Sequence, residues 1–167
     1  MPVLIRPAIA SDLPPLTDLY NHYIRETPIT FDLEPYSVDR RRQTWFKHYH
    51  RHGPHRLLVA DIAGQPVGYA SSSTFGSKAA FATSVETSIY LNPSVQHQGI
   101  GTQLYTALFA ALVCEPVHRA YALITLPNPH SIALHEKLGF QAVGVCREVG
   151  RKFDRYWDVA WYERALS

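Results

Sequence analysis

Hydrophobic and polar residues recur along the chain with two different periods, which divide it into helices and strands. Apolar side chains at helical spacing over residues 13–23 predict a first helix, capped by Ser11 and ended before Pro28. A second helix is expected over residues 37–49, beginning at Ser37. The aromatic, irregular loop between these helices is a natural place for a pocket.

Strand patterns follow the two helices. Residues 55–75 are typical of a β-hairpin that turns at residues 63–65. Residues 81–91 alternate with period two, which puts Glu86 on one strand face with Ser84 and Ser88. The remaining elements are predicted as a helix over 100–112, a strand over 119–126, a short helix within 128–140 and two strands over 142–166. With a strand at residues 3–8, the chain is expected to form one α/β domain over residues 1–167.

Composition and charge argue against several classes of protein. The chain has 167 residues, 46% of them hydrophobic, which is enough for one domain with a sizeable core. Its longest apolar runs fall far short of the ~20 residues of a membrane span, so a soluble, cytoplasmic protein is expected. The net charge of +2 is dispersed, and neither a nucleic-acid nor a membrane partner is expected. The basic cluster Arg40–Arg42 is interpreted as the solvated face of a helix.

Cysteines and histidines give no metal-ligand pattern. Cys114 and Cys146 form neither a disulfide framework nor a metal motif, and we expect both to be reduced core residues. The histidines within residues 48–55 lack clustered Cys, Asp or Glu partners, so a surface helix end and turn is expected there. No metal is predicted.

A glycine pair before the helix at residue 100 is typical of a phosphate-binding turn, because the turn amides and the helix dipole both favour anions. Gly101 is followed by Thr102 and not by a lysine, which excludes a nucleoside-triphosphate P-loop. Leu104 stands where a dinucleotide-binding motif needs its third glycine. A tight turn with close helix packing, without a ligand, remains an alternative.

The sequence around the two glycines resembles the signature of a known protein family. Gln96-x-x-Gly99-x-Gly101 follows "SIYLNP", and about thirty residues later comes "NPHSIALHEKLGF". Both motifs resemble those of the GNAT superfamily of acetyltransferases. Together with "NHYI", "VETSIYL" and "WDVAWYE" they resemble its phosphinothricin acetyltransferase branch over nearly the whole chain. The resemblance implies a GNAT fold, an α/β fold with a central mixed, mostly antiparallel twisted sheet of about seven strands and about four helices. It also implies acetyl-CoA as co-substrate and the α-amine of a glutamine- or methionine-like amino-acid analogue as acceptor.

The resemblance further implies which residues contact acetyl-CoA. The pyrophosphate is expected on the amides of residues 98–102 and the pantetheine arm beside the strand at residues 89–91. Asn128 precedes Pro129, a favoured first helical position, so a helix cap alone and a cap that also contacts the cofactor are both open. The implied cofactor-binding residues are Ile89, Tyr90, Leu91, Gln96, His97, Gln98, Gly99, Ile100, Gly101, Thr102, Asn128, Ser131 and Lys137.

Glu86 and His135 are the predicted catalytic residues. Glu86 matches the glutamate of the family's "VETSIYL" strand and is expected to attract the substrate ammonium and pass its proton through water. His135 stands where many GNAT enzymes carry a tyrosine that protonates the departing thiolate, and an imidazole with a pKa near 6.5 could do the same. The alternatives are an exposed strand carboxylate and a core histidine satisfied by a backbone carbonyl.

The predicted acceptor site departs from the branch. Aligned back from Glu86, this chain has Phe75 and Lys78 where the branch carries a tryptophan and an arginine, and Phe81 where a tyrosine is common. These three residues, with Phe31 and Glu86, are predicted to bind substrate. Lys78 would hold a carboxylate as a point charge without the bidentate fork of arginine. An amino-acid substrate is expected, and the acceptance of phosphinothricin itself is left open.

Two other functions and an assembly state stay open on the sequence. The chain could acetylate another amine, such as a protein N-terminus, or sense acyl-CoA without catalysis. Glu86 favours catalysis, and the aromatic loop favours a small acceptor. A homodimer is expected from the family resemblance and from Trp157, Trp161 and Tyr162 in the closing strand, whose side chains need cover.

Overall fold

Seven strands and four α-helices make up the fold of this chain, whose computed structural model describes residues 2–167. The strands are β1 (Leu4–Pro7), β2 (Leu57–Ile62), β3 (Gln65–Thr74), β4 (Ser84–Leu91), β5 (Arg119–Thr125), β6 (Gln141–Lys152) and β7 (Arg155–Ala165). The helices are α1 (Leu13–Glu26), α2 (Val38–Thr44), α3 (Ile100–Leu112) and α4 (Pro129–Lys137). No helix in residues 2–167 combines the length and apolar content needed to cross a bilayer.

The strands form one mixed sheet in the order β1-β2-β3-β4-β5-β7-β6. Neighbouring strands run antiparallel except β4 and β5, which are parallel. Within the described chain, that parallel pairing joins residues 84–86 to residues 119–121, although both strands continue beyond it. The two strands therefore separate after Glu86. The predicted mixed, mostly antiparallel sheet with four helices is confirmed.

Alternating side chains of the sheet enter two hydrophobic layers. One layer lies under α3, and its members include Leu104, Leu108, Leu112, Val85, Ala120 and Ala122. The other lies under α1 and α2, and its members include Leu16, Leu57, Val59, Tyr69, Trp45 and Phe46. The small β5 alanines let the bulky α3 leucines reach the sheet. One face of β4 therefore lies toward α3, and the other lies toward α1 and α2.

The start of α1 differs from the prediction. Ser11 lies in a 3-10 turn before the helix, which begins at Leu13, and the predicted Ser11 cap is wrong. Pro14 and Pro15 fill the first turn and carry no N–H, so fewer amides there need a cap.

The end of α2 also differs. Ser37 caps the helix as predicted, because its hydroxyl accepts the Arg40 amide at 3.2 Å. The helix ends at Thr44, however, and a separate 3-10 turn follows at residues 46–48. The aromatic residues of that segment turn toward the layer under α1 and α2 instead of continuing the helix.

Three side chains lie in unexpected environments. Cys114 and Cys146 are exposed, so their predicted place in the core is wrong. Cys114 follows α3, and Cys146 lies on the edge strand β6, in which residues 141–149 are all exposed. Arg40 and Arg42 are exposed as predicted, but Arg41 between them is only 4% exposed. One member of the basic cluster therefore faces the interior.

Candidate active site

The loop between β4 and α3 presents backbone amides at the end of β4. Gly99 precedes α3 with a φ of 78°, and His97 has a φ of 64°, so the backbone is left-handed twice in this turn. The first amides of α3 have no carbonyl one turn before them, and the helix places about half a positive charge at this end. The turn therefore offers donors and a favourable potential to an anion such as a pyrophosphate.

The two glycines of this loop have different reasons to be glycine. A Cβ at Gly101 would lie 3.1 Å from Leu134 Cδ2 and 3.6 Å from Ile89 Cδ1, so Gly101 lets α3 approach α4 and β4 closely. A Cβ at Gly99 would meet no atom within 4 Å, and the positive φ alone requires glycine there. Close packing thus explains Gly101, while the backbone at Gly99 borders open space.

Side-chain hydrogen bonds fix the segments around the turn. Gln96 Nε2 donates to Tyr23 Oη at 3.0 Å, and that hydroxyl donates to the Leu91 carbonyl at 2.5 Å. Asn128 Oδ1 accepts the amide of Ser131 at 3.2 Å and caps α4. The predicted cap by Asn128 is confirmed by this hydrogen bond, and an additional contact with the cofactor stays a prediction. These hydrogen bonds, all within the chain, therefore fix the segments on either side of the Gly99 turn.

The other predicted cofactor residues differ in where they lie. Residues 89–91 belong to the part of β4 that no longer pairs with β5, and the exposed His97 and Gln98 lie in the turn before Gly99. The side chain of Ile100 is buried in the core, so only its backbone can face a ligand. Lys137 is exposed beside the C-terminal half of α3, away from the turn.

Glu86 is the last residue of β4 that pairs with β5. It lies opposite Ser73 of β3 and Tyr121 of β5, on the face away from α3. The side chain is half-buried rather than exposed, and this burial raises the pKa of Glu86 above its ordinary value. A carboxylate with a raised pKa is a better acceptor for an ammonium proton than an exposed one.

A cavity of about 430 Å³ lies on the same sheet face, beneath α1 and α2. Its floor contains serines of β3 and β4, and its wall is aromatic. The residues that line the cavity include Tyr20, Asp32, Arg41, Trp45, Tyr69, Ser71, Ser73, Ser88 and Tyr90. Ser73 pairs with Glu86 across the strands, and Ser88 is the next residue on the same face, so Glu86 borders the cavity. This volume suits a small polar molecule.

His135 points into the core and not into this cavity. It is 3% exposed, with Nδ1 2.7 Å from the Ser131 carbonyl and Nε2 3.1 Å from Tyr105 Oη. A ring nitrogen that faces a carbonyl must carry the proton, so Nε2 accepts the tyrosine hydroxyl. Burial lowers the pKa of His135 and keeps the ring neutral. These contacts match the alternative of a core histidine satisfied by a backbone carbonyl.

Comparison with known proteins identifies the family of this chain. The sequence profile of the acetyltransferase (GNAT) family matches residues 16–140. The chain belongs to the GNAT acetyltransferase family.

Two relatives and one solved structure show which members of the family the chain is similar to. The chain is 56% identical to a phosphinothricin N-acetyltransferase of Streptomyces coelicolor, over 98% of this chain and 96% of the relative. It is 33% identical to an L-methionine sulfoximine/L-methionine sulfone acetyltransferase of Pseudomonas paraeruginosa, over 100% and 96% of the two chains. A crystal structure of a phosphinothricin acetyltransferase from Sinorhizobium meliloti in complex with acetyl-CoA superposes with a TM-score of 0.93 at 31% identity, covering 100% of this chain and 90% of that one.

Several cavity residues of this GNAT acetyltransferase were not predicted from the sequence. Tyr20 lies within the predicted first helix, but nothing local indicated that it would line a cavity. Arg41 was assigned to solvent. His48 and His55 also line the cavity, although their segment was predicted as a surface turn. Among residues 2–167 no three His, Cys, Asp or Glu side chains are grouped as metal ligands.

None of the predicted substrate residues lines the cavity, although Glu86 borders it. Phe75 stacks on Tyr121 at 4.3 Å between ring centroids and contacts Phe81 at 5.6 Å. Because Tyr121 lies opposite Glu86, this aromatic group flanks Glu86 on the side away from the cavity. Lys78 is exposed, and Phe31 packs against Gly150 of β6. Of this set, only the Phe75 group lies beside the predicted catalytic carboxylate.

Proposed function

We propose that this chain, as one domain over residues 1–167, transfers an acetyl group from acetyl-CoA to the α-amine of a small amino acid or amino-acid analogue. The observation that carries the proposal is the position of Glu86, which borders both the gap between β4 and β5 and the polar cavity under α1 and α2. The names of the relatives, which refer to phosphinothricin and methionine sulfoximine, support this class of acceptor.

The residues around the Gly99 turn fit acetyl-CoA. When bound, acetyl-CoA supplies an acetyl thioester. The amides of residues 98–102 would hold its pyrophosphate, since no atom lies within 4 Å of the position of a Gly99 Cβ and the α3 dipole favours anions. Residues 89–91 have backbone groups that β5 does not use, and these would bind the amides of the pantetheine arm as an added strand does.

Glu86 would prepare the acceptor. An amine attacks a thioester only in its neutral form, so the ammonium must first lose a proton. The Glu86 carboxylate would attract that ammonium and accept its proton, directly or through water. The burial that raises the pKa of Glu86 brings its basicity closer to that of the amine.

His135 receives a different role from the one that the sequence suggested. Both of its ring nitrogens are engaged, one by Ser131 and the other by Tyr105. We therefore assign His135 to holding α4 against α3, and not to protonating the thiolate. Asn128 keeps its role as the cap of α4, with any cofactor contact additional to it.

We also propose a homodimer in a reducing, cytoplasmic compartment. The edge strand β6 exposes Val143 (56%), Val145 (49%) and Val149 (59%), and an apolar edge strand readily pairs with another chain. Tyr162, in contrast, is covered by its own core and needs no partner. The free, exposed cysteines fit a compartment that keeps thiols reduced.

A thiol-release assay with acetyl-CoA tests the function. It would compare the proteinogenic amino acids with sulfoximine, sulfone and phosphinic analogues. We expect turnover with at least one of them, and a loss of about 10²–10⁴ in kcat for Glu86→Gln with unchanged acetyl-CoA affinity. Glu26→Gln, a change in an exposed carboxylate at the end of α1, is the matched control and should keep full activity.

Two results would contradict the proposal. Acetyl-CoA binding without turnover on any amine would favour the sensor, and turnover confined to peptide N-termini would favour a protein acetyltransferase.

A further inference from the structure

Arg41 is a buried cation in the wall of the cavity under α1 and α2. It is 4% exposed, and its guanidinium carbon lies 3.8 Å from the centre of the Tyr20 ring and 4.0 Å from that of Trp45. The two aromatic faces hold the guanidinium between them. Such stacking stabilises a cation but offers no acceptor for its N–H groups.

The hydrogen-bonding capacity of Arg41 is largely unused by the described chain. Nη2 donates to Tyr69 Oη at 3.2 Å, while Nε is buried without a partner among residues 2–167. No salt bridge of the described residues includes Arg41. A guanidinium carries five N–H donors, so the side chain could still bind an anion through two parallel hydrogen bonds.

No carboxylate of the described residues forms an ion pair with Arg41. Asp32 also lines the cavity, but its carboxylate accepts the Tyr20 hydroxyl at 2.6 Å and forms no ion pair with Arg41. A buried charge without a partner is costly, which is why arginines in protein interiors are almost always paired. The cavity in front of Arg41 is therefore prepared for a negatively charged group from outside the chain.

We propose that Arg41 binds an anionic group of the acceptor, while Glu86 receives its amine. The inference rests on the proposed function, because it takes the cavity to be the acceptor site. It assigns the anion to Arg41 instead of Lys78, which is exposed and does not line the cavity. The same chemistry could come from the α-carboxylate or from an anionic side chain such as a phosphinate.

Three acceptors separate the two sources. L-methionine sulfone carries only the α-carboxylate, its carboxamide carries no anion, and L-phosphinothricin carries both groups. For each acceptor kcat/KM would be measured at saturating acetyl-CoA. We expect the wild type to prefer methionine sulfone over its amide by at least about tenfold if the α-carboxylate is bound. If the side-chain anion is bound instead, the sulfone and its amide react alike and phosphinothricin is preferred.

Variants of Arg41 then assign the preference to this side chain. Arg41→Gln should lower the preference for the anionic acceptor by at least about tenfold and leave kcat/KM of the neutral amide within about threefold. Arg41→Lys keeps the charge without the fork and should retain part of the preference. Arg42→Gln, a change in the exposed neighbour on α2, should leave the preference unchanged.

The outcomes separate failure of the inference from failure of the proposed function. Equal losses for charged and neutral acceptors in the folded Arg41 variants would assign Arg41 to structure alone and overturn the inference. An unchanged preference would also overturn it, as would a wild type that favours the amide over both acids. If Arg41→Gln does not fold, the Arg41→Lys ratio and the wild-type preference still decide. Absence of turnover with all three acceptors contradicts the proposed function itself.

Discussion

Replacing Gly99 separates the backbone requirement of the turn before α3 from the proposed role of that turn in binding acetyl-CoA. Gly99 has a φ of 78°, and a Cβ there would meet no atom within 4 Å. An alanine therefore introduces no clash, and only the left-handed conformation opposes it. A valine adds branched bulk to the same open space beside the first amides of α3.

The magnitude follows from these two observations. A left-handed conformation costs a non-glycine residue about 1–2 kcal/mol. A domain of this size loses roughly 3 °C of Tm per kcal/mol, so Gly99→Ala should lower Tm by about 3–6 °C. Gly99→Val should also raise the Kd of acetyl-CoA more than about tenfold, which corresponds to more than about 1.4 kcal/mol, because its side chain competes with the pyrophosphate.

Calorimetric titration with acetyl-CoA and thermal melts measure the two effects separately. Gly53 provides the matched control, since it has a φ of 89° and equally open surroundings in a loop before β2. Gly53→Ala should lower Tm by a similar amount and leave the Kd unchanged. A folded Gly99→Val protein with wild-type affinity for acetyl-CoA would refute the assignment of the pyrophosphate to this turn.

Three further predictions follow from burial and exposure. Glu86→Gln should raise Tm at pH 7, because burial raises the pKa of Glu86 and its ionisation lowers the stability of the fold as the pH rises through that pKa. Thermal melts at pH 7 and near pH 4 check this, since the gain in Tm should vanish near pH 4. His135→Asn should reduce the loss of stability on acidification below about pH 6.5, since burial lowers the pKa of His135 and the unfolded chain therefore takes up that proton first. Equal slopes of Tm against pH in the wild type and the variant would contradict this prediction. If the proposed homodimer forms through β6, Val145→Lys should convert it into an 18.9 kDa monomer in sedimentation. A wild type that is itself monomeric at micromolar concentration would rule out the homodimer.

Periodicity predicted the elements of the fold because it reports burial directly. The α3 leucines recur at helical spacing since one face of the helix packs on the sheet, and the alternation in β4 reflects a strand with a different layer on each side. Element ends were harder to predict. The Ser11 cap was wrong because prolines already remove the donors that a cap would satisfy, and the second helix stopped at Thr44 because its aromatic residues pack better outside the helix.

The two halves of the candidate site differed in how far the sequence predicted them. The proposed cofactor turn depends on local spacing, so Gly99 and its neighbours could be predicted from a motif. The proposed acceptor cavity depends on how α1 and α2 pack against the sheet, which no local pattern encodes. Arg41 shows this plainly, because its neighbours Arg40 and Arg42 have the same side chain and both face solvent. The exposure of Cys146 has a similar cause, since only the sheet order reveals that β6 is an edge strand.

The topology supports the proposal that the chemistry occurs beside Glu86. Ser88 lines the cavity and Glu86 lies on the same strand face, while Thr87 between them is on the face toward α3, so the proposed acceptor site and the helix after the proposed cofactor turn lie on opposite sides of the sheet. A continuous sheet would keep donor and acceptor apart. β4 stops pairing with β5 after Glu86, and Thr87 Oγ1 donates to the Tyr121 carbonyl at 3.2 Å where the strands diverge. The gap begins there, next to Glu86, which is the last residue of β4 that pairs with β5.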